Sequence, residues 1–223
     1  MVGLYIVLIL IVVYLIFIAF KSFGKNEFNM FGFNFVKYTI GWFFRFWYPF
    51  RVENKNVVPD EGPILLCGNH IHLMDQCLPI LVTKRPVHYM AKMEYFTNPK
   101  TRWFFKLSGC IPVNRQIHDE DAKSAALEVL NKGLALGIFP EGTRNKTKEL
   151  LQPFKFGAVS MAKKTGATIV PYAITGTYKF RTKDLKITFG EPFKIPEDMD
   201  LEEANEKLYN IILDIIKKDK GIK

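Results

Sequence analysis

Hydrophobic residues dominate the first fifty positions of the chain and then give way to short apolar runs that alternate with longer amphipathic segments. Residues 2–20 contain no charged residue. At about 1.5 Å per residue, a helix of this length reaches the ~30 Å hydrocarbon thickness of a bilayer. The segment lacks the basic start and the small-residue cleavage site of a secretory signal. We therefore expect a retained, membrane-anchoring helix at the N-terminus.

A second hydrophobic segment, residues 28–50, has 12 aromatic residues in 23 positions, with Lys37 and Arg45 among them. Aromatic rings and long basic side chains favour the headgroup region of a membrane. This pattern predicts a helix that lies in one leaflet or folds back on the first, and a packed core helix is the alternative. Lys21 and Lys25 directly follow the first segment, so the positive-inside tendency places the rest of the chain on the cytoplasmic side of the membrane.

From residue 56 onward the pattern predicts an α/β domain whose mostly parallel sheet is flanked by helices. The strand candidates are the apolar runs PILLCG, VHYMAK, CIPVNR, LALGIF, TIVPYAI and LKITFG. The helix candidates are DQCLPILVT, TRWFFKLS, DEDAKSAALEVLNKG and FKFGAVSMAKKTG, with a last helix near residues 201–218. No repeat or low-complexity linker interrupts this part of the chain. We therefore expect a membrane anchor over residues 1–55 and one α/β domain over residues 56–223.

Charge narrows the possible partners of this domain. The formal net charge of +9 favours anionic lipids, nucleic acids or phosphorylated substrates. Seven basic residues and one acidic residue lie between positions 84 and 115, with aromatic residues among them, and this combination suits a lipid surface. No zinc-finger, RNP or helix-turn-helix pattern accompanies the charge, which disfavours nucleic acid. The three cysteines lack the spacing of a disulfide framework or a zinc site.

Candidate chemistry is concentrated in the segment CGNHIHLMDQ, residues 67–76. On one continuous helix, His70 and Asp75 would lie about 140° apart around the axis, too far to touch. A turn after the strand candidate would instead bring them together, with Asp75 in the first turn of the next helix. The carboxylate would then fix the imidazole tautomer and leave the second ring nitrogen free as a general base. Structural or helix-capping roles for both residues are the alternative.

The nucleophile in such a reaction would arrive with the substrate. No G-x-S-x-G motif supplies a serine, so the base is expected to act on a substrate hydroxyl. A metal site built from His70, His72 and Asp75 lacks another clear ligand, and we expect no metal.

The segment NHIHLMD resembles the H-x4-D motif of the glycerolipid acyltransferases, a family that includes the 1-acylglycerol-3-phosphate acyltransferases. Three further blocks of that family follow in order: GCIPVNR at 109–115, FPEGTR at 139–144 and IVPYAI at 169–174. The resemblance covers about residues 60–190. His72 and Pro112 depart from the residue types that the family often has there, which bears on substrate preference more than on chemistry.

The resemblance implies transfer of an acyl chain from acyl-CoA or acyl carrier protein to the sn-2 hydroxyl of 1-acylglycerol-3-phosphate, which gives phosphatidate in phospholipid biosynthesis. It implies membrane lipids as partners and no cofactor. His70 would be the general base, and Asp75 would orient it. Residues expected to bind substrate are Lys92, Arg115, Glu141, Gly142, Thr143 and Arg144.

All of these residues except Glu141 have a chemical reason to bind substrate. Guanidinium groups match phosphate oxygens, and Arg115 and Arg144 each follow a strand candidate, as Lys92 does. The carboxyl ends of parallel strands share one edge of a sheet, where ligands bind. The amides of Gly142 and Thr143 could stabilise phosphate or an oxyanion. Glu141 is assigned by resemblance, and a structural hydrogen-bonding role is its alternative. The FKFGAV segment also recurs in the family but can simply start a helix, so we do not count it among the expected substrate-binding residues.

Other functions stay open at this point. A noncatalytic membrane protein of the same fold could hold anionic lipids, but it would need a damaged His–Asp pair or cation set. A metal-dependent hydrolase of the same lipids is a second rival. Within the acyltransferase reading, another lysolipid or glycerol-3-phosphate could be the acceptor.

Overall fold

The computed structural model describes residues 30–114, 117 and 119–222. A long helix, α1 (Met30–Trp47), precedes a seven-stranded sheet. The strands are β1 (Arg51–Glu53), β2 (Ile64–Gly68), β3 (Val87–Lys92), β4 (Ile111–Val113), β5 (Ala135–Ile138), β6 (Thr168–Thr175) and β7 (Lys186–Phe189). The other α-helices are α2 (Cys77–Val82), α3 (Glu94–Thr97), α4 (Arg102–Leu107), α5 (Glu120–Asn131), α6 (Gly157–Thr165) and α7 (Leu201–Lys220), and Lys55–Val57 forms a single 3-10 turn.

The strand order across the sheet is β1-β7-β6-β2-β5-β3-β4. Strands β2 to β6 run parallel to one another, β7 is antiparallel to β6, and β1 is parallel to β7. The carboxyl ends of β2, β3, β4, β5 and β6 therefore meet at one edge. The predicted α/β fold with a mostly parallel sheet is confirmed, and all six strand candidates form strands. The pattern missed β1 because its three residues are exposed at the edge of the sheet and form no apolar run.

Each face of the sheet is covered by its own set of helices. One hydrophobic cluster joins the sheet to α5, α6 and α7, and the second joins it to α1 and α2. Helix α7 presents Ala204, Leu208, Ile212 and Ile216 to the first cluster, and this spacing of four residues aligns them along one side of a helix. The predicted last helix is therefore an amphipathic cover, as its mixed charge indicated.

Helix α1 and strand β1, which fall within the predicted anchor over residues 1–55, contact the α/β domain. Phe33, Val36 and Phe44 of α1 are buried in the cluster that contains β2 and β6 residues, and β1 pairs with β7. Helix α1 therefore supplies part of the core of that domain. The prediction that residues 28–50 form a helix is confirmed over Met30–Trp47. One side of that helix packs in the core, while Tyr38, Trp42 and other aromatic residues on it are exposed.

In the part of the chain that the structure describes, no helix combines the length and the apolar character that crossing a membrane requires. The predicted anchoring helix, residues 2–20, lies outside the described residues.

Candidate active site

Strand β2 ends at Gly68, and the side chain of Asn69 continues its pairing with β6. Nδ2 of Asn69 donates to the backbone carbonyl of Ile174 at 2.9 Å, and Oδ1 of Asn69 accepts from the backbone N–H of Ile174 at 2.7 Å. The side chain thus takes the place of a backbone partner and frees the main chain to turn away from the sheet. This turn carries the next residue, His70, over the carboxyl edge.

His70 and Asp75 meet in this turn, as the sequence predicted. Nδ1 of His70 lies 2.9 Å from Oδ2 of Asp75. The same oxygen accepts the backbone N–H groups of Ile71 at 2.6 Å and His72 at 2.7 Å, so one carboxylate both shapes the turn and holds the ring. Helix α2 begins at Cys77, so Asp75 lies two residues before the helix and not in its first turn, where the sequence pattern predicted it. Within the described residues, Nε2 of His70 has no hydrogen-bond partner.

The second oxygen of Asp75 is held by a residue from the other end of the domain. The hydroxyl of Tyr178, which follows β6, donates to Oδ1 at 2.8 Å. Burial is the main cause that raises the pKa of Tyr178 far above its usual value, and the adjacent Asp75 charge adds to it, so the phenol stays a donor. The Tyr178 ring also stacks on His72 with centroids 4.1 Å apart. Asp75 itself is 0% exposed, and hydrogen bonds therefore satisfy a fully buried carboxylate on both oxygens.

Glu141 is buried beneath the His70 turn. Its Oε1 accepts the backbone N–H of His70 at 2.7 Å, and its Oε2 accepts that of Gln152 at 3.0 Å. Burial raises the pKa of this carboxyl, although the two hydrogen bonds oppose the rise. With 3% exposure and both oxygens occupied, Glu141 matches the structural role that was its alternative better than direct contact with substrate.

The FPEGTR segment after β5 forms the opposite wall of the site. The Phe139 ring stacks on the His70 ring, with centroids 4.1 Å apart and planes 9° from parallel. Gly142 has φ +72°, a conformation that favours glycine, and the N–H of Asn145 donates to the His70 carbonyl at 2.6 Å. Burial is the main cause that lowers the pKa of His72, and the charge of Asp75 raises it in part. The charge of the exposed Arg144 lowers this pKa further, so Arg144 lies near His72.

A cavity of about 210 Å³ opens beside His70, between the carboxyl ends of β3, β4 and β5 and the start of α6. Gly137 leaves space for the Tyr89 ring, which lines the cavity, since a Cβ at position 137 would lie 2.1 Å from that ring. Lys155, from the FKFGAV segment that sequence analysis left out, packs its side chain against Gly142 at the cavity. The residues that line the cavity are mostly apolar, and they are His70, Tyr89, Met90, Val113, Gly137, Ile138, Phe139, Pro140, Gly142, Lys155, Gly157 and Ala158.

The structure places some of the predicted site residues close to the His70 turn and others farther away. Gly142, Thr143 and Arg144 lie in the loop that contacts the His70 turn. Lys92 is exposed at the end of β3, two strands away from β2 at the same edge, which corresponds to about 10 Å across the sheet. Arg115 lies outside the described residues. Among the residues that the structure describes, no group of three or more His, Cys, Asp or Glu side chains could hold a metal ion.

Sequence reasoning missed Tyr178, Phe139 and Asn69 as site residues. Phe139 and Asn69 stand inside the quoted motifs, so their positions carried a signal that was attributed to their neighbours. Tyr178 had no such signal because it follows the IVPYAI block and reaches Asp75 only through the pairing of β6 with β2.

Comparison with known proteins agrees with this geometry. The Acyltransferase family profile matches residues 49–175. A 1-acyl-sn-glycerol-3-phosphate acyltransferase of Borreliella burgdorferi is 33% identical over 141 residues, which are 62% of this chain and 56% of that protein. The Bacillus subtilis protein of the same name is 32% identical over 147 residues, which are 64% of this chain and 72% of that protein. The chain thus spans little more than half the length of the Borreliella relative.

The fold has a solved counterpart. The crystal structure of the 1-acyl-sn-glycerophosphate (LPA) acyltransferase PlsC from Thermotoga maritima superposes with a TM-score of 0.76 at 22% identity, and the match covers 98% of this chain and 93% of that one. At this identity the likeness establishes a shared fold. The profile match over residues 49–175 confirms the resemblance to acyltransferases found in the sequence, and the chain belongs to the Acyltransferase family.

Proposed function

We propose that this protein transfers an acyl chain from a thioester to the sn-2 hydroxyl of 1-acylglycerol-3-phosphate and so makes phosphatidate. The observation that carries the proposal is the His70–Asp75 contact, which faces the FPEGTR loop at the carboxyl edge of the sheet. The names of the relatives support the choice of substrate.

His70 is the general base in this proposal. With the Nδ1 proton donated to Asp75, Nε2 carries the lone pair that accepts the proton of the substrate hydroxyl. The hydroxyl oxygen attacks the thioester carbonyl, the carbon–sulfur bond then breaks, and the proton passes from Nε2 to the leaving sulfur. Asp75 stabilises the imidazolium between these two steps. No acyl-enzyme is required, because a thioester is already activated and the protein holds both substrates together.

Basic side chains bind the acceptor phosphate in this proposal. Arg144 is the main candidate, since it lies in the loop that contacts the His70 turn, and Lys92 and Arg115 assist it. Gly142 and Thr143 offer backbone N–H groups to the phosphate or to the oxyanion. Glu141 positions His70 through its backbone N–H and does not touch substrate. The apolar cavity beside His70 suits the thioester carbonyl and the first carbons of the acyl chain.

The protein acts at a membrane in this proposal, with the catalytic domain on the cytoplasmic side. A lysophospholipid resides at the lipid–water interface, so an anchor that holds the site at headgroup depth reduces the search for substrate to two dimensions. The uncharged residues 2–20 would supply that anchor, and acyl-CoA or acyl carrier protein would deliver the acyl chain from the aqueous side. No cofactor is needed.

A substrate panel tests the proposal. Purified full-length protein is given acyl-CoA or acyl carrier protein thioesters, each with 1-acylglycerol-3-phosphate, glycerol-3-phosphate or lysophosphatidylcholine, and thiol release is followed. We expect release that depends on 1-acylglycerol-3-phosphate and persists with a chelator. Preference for another acceptor would reassign the substrate, and release of fatty acid without an acceptor would point to a hydrolase.

Arg144→Ala should weaken binding of the acceptor more than it slows the chemistry. Loss of a charge-assisted contact of about 1.5 to 3 kcal/mol raises KM for 1-acylglycerol-3-phosphate roughly 10- to 100-fold, with a smaller change in kcat. Steady-state kinetics at varied acceptor concentration measure both constants. Lys146→Ala, which removes an exposed cation from the same loop, is the control, and an equal effect of both substitutions would reject a specific role for Arg144.

A further inference from the structure

A second concave region, of about 810 Å³, lies between α1, the C-terminal end of α2 and the β1 segment. We call it the α1–β1 groove. It shares no lining residue with the cavity beside His70. Its volume falls in the range of small-molecule binding sites, and the proposed reaction gives it no task.

The charge of the groove has one sign. Lys37, Arg45 and Lys55 line it, and among the described residues no acidic side chain does. Arg45 and Lys55 are exposed, and within the described residues neither forms an ion pair with a carboxylate. Lys37 is directed inward, where its Nζ donates to the Thr83 carbonyl at 2.5 Å. Three cations without a counter-charge in a concave site favour an anionic ligand.

The remaining walls of the groove are apolar. Tyr38 and Trp42 are each 73% exposed, and they line the groove together with Leu81 and Val82. Aromatic side chains of this kind prefer the level of lipid headgroups. A ligand that satisfies both the cations and these walls must join an anionic group to apolar chains.

We propose that the α1–β1 groove binds an anionic diacyl phospholipid, with its phosphate against Arg45 and Lys55 and its glycerol and upper acyl chains against Trp42. Two other occupants fit less well. The uncharged residues 2–20 would leave the three cations unneutralised, and a free phosphate ion would leave the apolar walls uncovered. The site would hold a bilayer lipid away from the reacting centre beside His70, and would thereby fix how the domain meets the bilayer.

Trp42 provides a direct reporter for this site. In the full chain with Trp47→Phe and Trp103→Phe, Trp42 is the only tryptophan left. Its emission is titrated with monomeric dihexanoyl phosphatidylserine, which has no free glycerol hydroxyl to accept an acyl chain, and with dihexanoyl phosphatidylcholine. We expect a saturable blue shift with the anionic lipid and at least 10-fold weaker binding of the zwitterionic one.

Charge substitutions locate the binding. Arg45→Glu and Lys55→Glu should each weaken phosphatidylserine binding about 10-fold or more, whereas Lys164→Glu, at an exposed position of α6 on the opposite face of the sheet, should leave it unchanged. Arg45→Gln and Lys55→Gln replace the reversals if circular dichroism shows a loss of fold.

Several outcomes would overturn the proposal. These are equal binding of the two lipids, an equal loss of binding in Lys164→Glu, or the same shift and affinity with inorganic phosphate alone. A Trp42 emission that is already blue-shifted and does not respond to lipid would show that a protein segment fills the groove. His70→Ala should bind the lipid normally. A failure of the lipid-binding proposal is therefore distinguishable from a failure of the proposed acyl transfer.

Discussion

At the scale of single residues, Asp75 is the centre of the site. Its two oxygens receive four donors: the His70 ring, two backbone N–H groups of the turn and the Tyr178 hydroxyl. Each donor restricts the carboxylate, and the carboxylate restricts the imidazole. The orientation of His70 therefore depends on a residue about one hundred positions further along the chain.

Tyr178→Phe isolates the contribution of one of those donors. The ring and its stacking on His72 are kept, but Asp75 loses a charge-assisted hydrogen bond, so kcat should fall about 10-fold with little change in KM.

Tyr209→Phe is the matched control, because it removes a hydroxyl from α7 that contacts only the Leu151 carbonyl, at 3.5 Å. A kcat for Tyr178→Phe that equals that of the wild type would mean that Tyr178 merely packs against the turn.

The part of the site that the sequence made predictable is local. His70 and Asp75 are five residues apart, and only a turn can join them, so their contact followed from helix geometry. The Asn69 and Tyr178 contacts depend on β6 lying beside β2, which is a property of the strand order. Composition and periodicity do not determine that order, and these two partners could not be found from the sequence alone.

At the scale of elements, α7 is joined to the edge of the sheet by a partly buried ion cluster. Lys186 of β7 contacts Asp219 of α7 and also lies 3.3 Å from Glu53 of β1. Burial is the largest single influence on the pKa of Asp219 and would raise it, but the hydrogen bond with Lys186 and the nearby positive charges of Lys186 and Arg51 together hold the pKa below its usual value. The pKa of Lys186 is raised, mainly by its hydrogen bond with Asp219.

Asp219→Asn should lower the free energy of unfolding by about 1 to 3 kcal/mol at neutral pH. Since the folded pKa of Asp219 is depressed, its contribution is complete above the unfolded value near 3.8 and is lost as the pH falls through the lower, folded value. The difference between variant and wild type should therefore shrink below about pH 4, as measured by denaturant unfolding. Asp214→Asn, at an exposed position of α7, should have little effect, and a loss that does not vary with pH would contradict the ion-pair explanation.

Helix α1 shows why the sequence pattern did not separate the buried residues of this segment from the exposed ones. Its aromatic composition suggested one environment, a membrane interface, but the helix has two sides. Phe33 and Phe44 complete the core, while Tyr38 and Trp42 are exposed. Twelve aromatic residues in 23 positions leave too little polar contrast for a pattern to separate the buried side from the exposed one.

At the scale of the whole molecule, the helices pack on the two faces of the sheet and the site residues lie at its carboxyl edge. Helices α5, α6 and α7 cover one face, α1 and α2 cover the other, and the carboxyl edge between them carries His70 and the FPEGTR loop. The exposed aromatic side of α1 and the cations of the α1–β1 groove belong to the second face. This arrangement fits an enzyme whose acceptor stays in a lipid surface while the thioester approaches from water.

The central claim is that His70 acts as the base in thioester-dependent acyl transfer, and its most direct measurement is thiol release from acyl-CoA with 1-acylglycerol-3-phosphate by wild-type protein and by His70→Ala. We expect the wild type to release thiol in step with phosphatidate formation, and the variant to keep its fold by circular dichroism while its kcat falls about 10²- to 10⁴-fold. Acyl transfer at an undiminished rate by folded His70→Ala would contradict the account.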